Sequence, residues 1–160
     1  MESFLWFENT WLSIWVRESP LVFPTALVAH AIGMGTLVGV NVLIGLRALG
    51  VTPQLSGAML VRFLPLMWAG FLASLFSGLL LLAAYPAKAL TNPVFFLKFV
   101  LIALALVVGR RVLRRIAGQP VSIGSLRTVA IGALLLWAGA ITAGRLLAYT
   151  HHVLLASHLY

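Results

Sequence analysis

Six side chains in this sequence could do chemistry within or beside apolar segments: His30, Lys98, Arg145, Tyr149, His151 and His152. His30 is the sole imidazole of "LVAHAIGMGTLVGVNVLIGLRALG", residues 27–50. Such an imidazole either bridges helices by hydrogen bonding or ligates something. Lys98 and Arg145 also lie in apolar surroundings, and no acid is available within the spans to neutralise them: the only acids are Glu2, Glu8 and Glu18, all near the N-terminus, and there is no aspartate. Their counter-ion must come from elsewhere, as a lipid phosphate, a carboxylate ligand or a partner protein.

Counting along helices brings these groups together. At about 1.5 Å per residue, His30 lies roughly 25 Å from the level of Arg47, Lys98 about 24 Å from Arg114, and Arg145 roughly 27 Å from Arg127. Three helices can therefore present His30, Lys98 and Arg145 at one depth, with Tyr149 one turn beyond Arg145, His152 at the next turn and His151 beside it. Intramembrane ionisable groups are costly and carry a functional hypothesis by default.

The chemistry that fits is haem b: an imidazole for iron, an apolar slot for the porphyrin and cations for two propionates, held in a bundle core. His30 is the expected axial ligand, with Lys98 and Arg145 near the propionates. His152 is the candidate second metal ligand, although on a straight helix it stands roughly 10 Å above Arg145. That height calls for a tilted helix or a five-coordinate iron. Copper held by histidine is another reading, but His151 and His152 point ~100° apart and do not chelate together. A third is a cofactor-free accessory or structural subunit, in which His30 hydrogen-bonds across helices while Lys98 and Arg145 snorkel to phosphates. A retinal-type Schiff base on Lys98 is disfavoured for lack of a carboxylate partner.

The elements that must position these residues follow from composition. Of 160 residues 62% are hydrophobic and 9% charged, with mean hydropathy +1.08. A soluble domain has about a quarter of its residues charged, so the class is integral membrane protein. The absence of cysteine rules out disulfides, iron–sulfur clusters and thiolate metal sites. The scarcity of acids removes paired-carboxylate catalysis. The net charge of +8 is not a nucleic-acid signal. Five of the eleven basic residues, Arg110, Arg111, Arg114, Arg115 and Arg127, fall in "GRRVLRRIAGQPVSIGSLR", a pattern that beside apolar spans signals orientation.

The expected fold is an all-α membrane protein: a four-transmembrane-helix bundle in one domain, 1–160, preceded by an N-terminal amphipathic interfacial helix over 1–18. Phe4, Phe7, Trp11 and Trp15 recur there at helical spacing. The alternative is packing of that helix on a partner subunit. Its three glutamates and lack of a basic start do not read as a signal peptide. The spans are expected at 20–46, 63–85, 94–112 and 128–150, with "RALGVTPQLSGAMLVR" as a loop. Ser19 is a candidate N-cap, Pro20 and Pro93 suit first helical turns, and helix four has room to continue through "AYTHHVLLASHLY". Gly35-x-x-x-Gly39, Ser74-x-x-x-Gly78 and Ala140-x-x-x-Gly144 are expected to let helices approach, and Asn41 and Trp68 to pack or hydrogen-bond between helices. The positive-inside rule puts the arginine loops in the cytoplasm of a bacterial inner membrane and both termini in the periplasm. The polar level then lies in the outer leaflet. Expected partners are the lipid bilayer and a homo-oligomer or larger membrane complex.

"RESPLVFP" (17–24), "AHAIGMGTLVG" (29–39) and "GLRALG" (45–50) resemble the opening of an uncharacterised family of small bacterial four-helix membrane proteins. "TNPVFFLKFVLIALAL" (91–106) and "GRLLAYT" (144–150) resemble its third and fourth helices. The resemblance points to His30, Gly33, Arg47, Lys98, Gly144 and Arg145. Where the family has an acid before Leu-Arg, this chain has Gly45, so any role of that carboxylate is absent. In layout the chain is loosely similar to small haem b and copper-resistance membrane proteins.

Overall fold

Capping serines, threonines and asparagines, with prolines in first turns and glycines past last turns, divide the apolar chain into helices. The computed structural model describes residues 9–119 and 125–156, with the side chains of 87–88 and 148–156 outside the description. The helices are α1 (Trp11–Glu18), α2 (Val22–Leu49), α3 (Gly57–Arg62), α4 (Leu64–Ala84), α5 (Pro86–Leu90), α6 (Pro93–Ile116) and α7 (Leu126–Ala156). There is no strand among the described residues. Val22–Leu49, Gly57–Ala84, Pro93–Ile116 and Leu126–Leu147 are each long and apolar enough to cross a bilayer. The fold is therefore all-α, a four-helix multi-pass bundle.

Local chemistry sets the boundaries. Thr10 caps α1, and the Ser19 hydroxyl accepts from the Val22 amide at the entry to α2. α2 runs on to Leu49 because Gly50, at φ +86°, supplies the left-handed residue that lets the Gly50 and Val51 amides bond back to Arg47 and Leu46. Asn92 caps α6, whose first turn holds Pro93. α6 extends to Ile116 through its arginines, which are good helix formers, and the chain turns at Gly118, φ +83°. The segment expected as a loop after α2 contains α3. Ser56 caps it, and fully buried Leu60 anchors it to the core. A Cβ at Gly57 would lie 2.8 Å from the Ile116 carbonyl oxygen, so α3 sits directly on the end of α6.

α2 is the hub of the bundle. It packs most extensively on α4, while α6 and α7 pair with each other and both touch α2 from its other side. The α2–α4 crossing is a backbone contact: a Cβ at Gly33 would lie 2.7 Å from the Gly70 oxygen, and one at Gly70 would lie 2.8 Å from the Gly33 oxygen. The expected pair Gly35 and Gly39 does not form a helix contact, since a Cβ at either meets nothing within 4 Å among the described residues. Gly33 was the glycine on the inward face. Trp68 is exposed and meets Phe71 of its own helix edge-on.

The close-packed core gathers toward the arginine end of the spans. Leu37, Val40 and Ile44 of α2 meet Ala105 and Val112 of α6 and Ala130 and Trp137 of α7. Toward the other end, where α2 and α6 start, the helices are held by polar contacts and by α1. Ser13 and Val16 of α1 are buried; the Ser13 hydroxyl donates to the Ala84 carbonyl at 3.3 Å, and Arg17 lies over the Tyr85 ring.

Candidate functional site

His30 stands in the third turn of α2 and is half-buried against α4. Its Nδ1 lies 3.0 Å from the Ser74 carbonyl oxygen and 3.2 Å from the Ser77 hydroxyl oxygen. A carbonyl can only accept, so Nδ1 carries the proton. The Ser77 hydroxyl donates to the Ala73 carbonyl at 2.6 Å, leaving its oxygen to accept from the same N–H. The return contact is the Ser74 hydroxyl, which donates to the His30 carbonyl at 3.3 Å. A Cβ at Gly78 would meet His30 Cε1 at 3.2 Å, so the ring lies flush on the α4 backbone. Three α4 residues thus fix the ring and its tautomer. In the neutral ring, Nε2 is left with a lone pair.

Lys98 lies between α6 and α7. Its side chain runs over Gly144, where a Cβ would sit 3.6 Å from both Cε and Nζ. Asn41 of α2 fixes the register of α6, because a Cβ at Gly109 would lie 2.6 Å from its Oδ1. Eleven residues up each of these parallel helices, about three turns, stand His30 and Lys98. They therefore share a level. Arg145 is exposed, next to Gly144 but turned out from the bundle. The side chains of Tyr149, His151 and His152 lie outside the described residues, although α7 continues through them. Among the described residues no three histidines, cysteines or acids gather as a metal cluster.

Sequence reasoning missed Ser77 and Trp137. Ser74 was legible only as a small residue spaced four from Gly78, not as the carbonyl that fixes His30. Ser77 is one turn from Ser74 and could have been found by asking which polar α4 residues share that face. Trp137 is buried, 1% exposed, and its indole N–H has no hydrogen-bond partner among the described residues. The buried amide of Asn41 donates to the Leu37 carbonyl of its own helix at 2.9 Å, while its oxygen packs on α6 at Gly109. Two cavities border α1. One, of about 300 Å³, is lined by Leu12, Ser13, Leu79, Leu82 and Ala83 among others, and the other by Trp11, Ile14, Trp15, Glu18 and Ser19; neither is lined by His30.

No family model matches the chain, and neither a curated protein nor a solved structure is significantly similar to it. The likeness to the uncharacterised four-helix family rests on the short motifs alone.

Proposed function

We propose that the chain is a membrane-embedded haem b-binding protein serving electron transfer, alone or as a small redox subunit, with His30 as the axial ligand. The observation that carries this reading is the Nδ1–H bond to the Ser74 carbonyl. Metal-ligating histidines characteristically give their other ring N–H to a carbonyl or carboxylate, which fixes the tautomer and makes the ligating nitrogen more basic. Here that leaves Nε2 as the ligating atom. Lys98 at the same level, and Arg145 beside Gly144, are the cations for propionates, which the acid-free spans do not otherwise neutralise.

The described side chains offer one imidazole, which fits an iron with a single protein ligand; His152, with His151 and Tyr149 near it, is the proposed source of a second. Bound there, haem would supply a one-electron couple whose potential follows axial ligand and burial. On the positive-inside reading the site belongs to the outer leaflet of a bacterial inner membrane.

A second reading, a cofactor-free accessory subunit, is favoured by the same ring's bridging role, because His30 already satisfies itself against Ser74 and Ser77. The visible spectrum of protein purified from haem-replete cells separates the two. A Soret band that moves on dithionite reduction is the expected result. A flat spectrum overturns the haem reading, and metal analysis of the same sample then distinguishes copper from no cofactor.

A further inference from the structure

The sequence places seven of the eleven basic residues at one end of the bundle: Arg47, Arg62, Arg110, Arg111, Arg114, Arg115 and Arg127. No acid stands at that end, since the only acids are Glu2, Glu8 and Glu18. Orientation in a membrane needs only a surplus of positive charge. The arrangement on α6 is more specific. Arg110, Arg111, Arg114 and Arg115 are all exposed, while Val112 and Leu113 between them are buried in the core. At 100° per residue the four arginines cover an arc of about 140°, opposite the buried face. They form two stacked pairs, Arg110 over Arg114 and Arg111 over Arg115. Like charges at this spacing repel in the absence of anions.

The same arc continues up the helix as an apolar stripe. Phe96, Leu97, Val100, Leu104 and Val107 are each about half exposed and fall on the arc of the arginines. Their span is also the least buried of the four, at 11% of its most apolar window against 22–28% in the others. One face of α6 therefore offers a track for hydrocarbon chains ending in four guanidiniums, each able to grip a phosphate with two parallel N–H bonds.

We propose that this face of α6 is a binding site for an anionic phospholipid whose headgroup carries two phosphates. One phosphate sits on each stacked arginine pair and the acyl chains lie along the stripe. Charge complementarity selects this occupant: two pairs of guanidiniums match two phosphates, and no glutamate stands at that end to compete. Clusters of four or more basic residues immediately beyond a span are the usual footprint of acidic lipids. The site is independent of His30 and of any cofactor there.

The test is competitive lipid retention by the intact protein. Purified in mild detergent with equal amounts of diphosphatidylglycerol, phosphatidylglycerol and phosphatidylcholine, the protein is examined by native mass spectrometry for bound lipid. Diphosphatidylglycerol is expected to be retained over the other two. Arg110→Gln with Arg114→Gln should lower its retention roughly tenfold or more, whereas Arg62→Gln, on α3, should leave it unchanged. If the double glutamine variant fails to insert, Arg110→Lys with Arg114→Lys keeps the orienting charge but not the fork. The preference for two phosphates over one should then shrink. Equal retention of phosphatidylglycerol and diphosphatidylglycerol by the native protein overturns the proposal, as does unchanged retention in the arginine variants.

Discussion

At one end of the bundle Arg110, Arg111, Arg114 and Arg115 stand clear of the protein surface above a close-packed core of Leu37, Val40, Val112 and Trp137. At the other end Lys98 is folded down against Gly144, and His30 is pinned to the α4 backbone by Ser74 and Ser77. Both ends are positively charged and neither has a carboxylate in its spans. At the arginine end packing holds the helices together and the charges are free to meet phosphates. At the histidine end the polar groups themselves join the helices. A group that is both structural tie and chemical candidate is constrained in a way an exposed arginine is not, so substitutions at the two ends should differ in kind.

The sharpest break falls where the two regimes meet, at the Gly33–Gly70 crossing that carries His30 onto α4. Gly33→Val should force the backbones apart, because even a Cβ would lie 2.7 Å from a carbonyl oxygen. The expected cost is about 1–3 kcal/mol or more, read as a fall in thermal midpoint of the detergent-solubilised protein. Gly35→Ala, with nothing within 4 Å of the new methyl group among the described residues, should instead be neutral or stabilise by up to ~1 kcal/mol. If the two variants behave alike, the crossing is not where the structure puts it.

His30→Ala comes next. Its loss removes one interhelical hydrogen-bonded tie, worth roughly 0.6–2 kcal/mol, and takes the imidazole N–H away from the Ser74 carbonyl and the Ser77 hydroxyl. His30→Gln should recover part of that stability, since an amide N–H can reach the same carbonyl. Under the haem reading neither variant keeps the Soret band of the native protein. Stability and absorbance thus separate: rescue by glutamine in the first but not the second marks His30 as a ligand, and a native protein without the band marks it as a tie alone.

The bundle could be read from the sequence because apolar length and the placement of Pro, Ser and Gly decide where helices begin and end. Gly50 and Gly118 lie past their helices where a left-handed residue is needed, and Asn92-Pro93 opens α6. The helix inside the expected loop was harder, because Gly57–Arg62 is too short for periodicity to register and is stabilised by Leu60 reaching the core. The depth argument placed His30 and Lys98 near one level, since rise per residue is fixed. Azimuth was not available from it. Which way Arg145 turns, and that Gly33 rather than Gly35 faces α4, depend on how helices rotate against their neighbours, which a chain so uniformly apolar encodes only weakly. The α4 partners of His30 were hidden for another reason: one of them is a main-chain carbonyl, which every residue possesses.

Lys98→Met should change stability little, or raise it slightly, because replacing a half-buried charge that has no acidic counter-ion among the described residues of the spans with an apolar stem of similar length removes a desolvation cost. A drop exceeding ~1 kcal/mol would mean that an anion already neutralises the ammonium in the purified protein.

The smallest structural effect is expected at Arg145. The side chain is exposed, so Arg145→Leu should shift stability by less than about 0.5 kcal/mol. Its chemical effect need not be small. Under the haem reading a cation near the iron favours its reduced, less positive form, so removing it should lower the midpoint potential and weaken haem retention while the thermal midpoint of the apoprotein stays put. Lys98→Met should lower the potential in the same direction, its ammonium being at the level of His30. Redox titration of the two variants against the native protein checks this. A fall in potential at both positions sharpens the contrast between a polar end that serves a cofactor and an arginine end that serves lipid. Should the potential be unmoved by either change, both cations lie too far from the iron to serve its propionates, and Lys98 and Arg145 belong with the exposed arginines as residues that meet lipid phosphate.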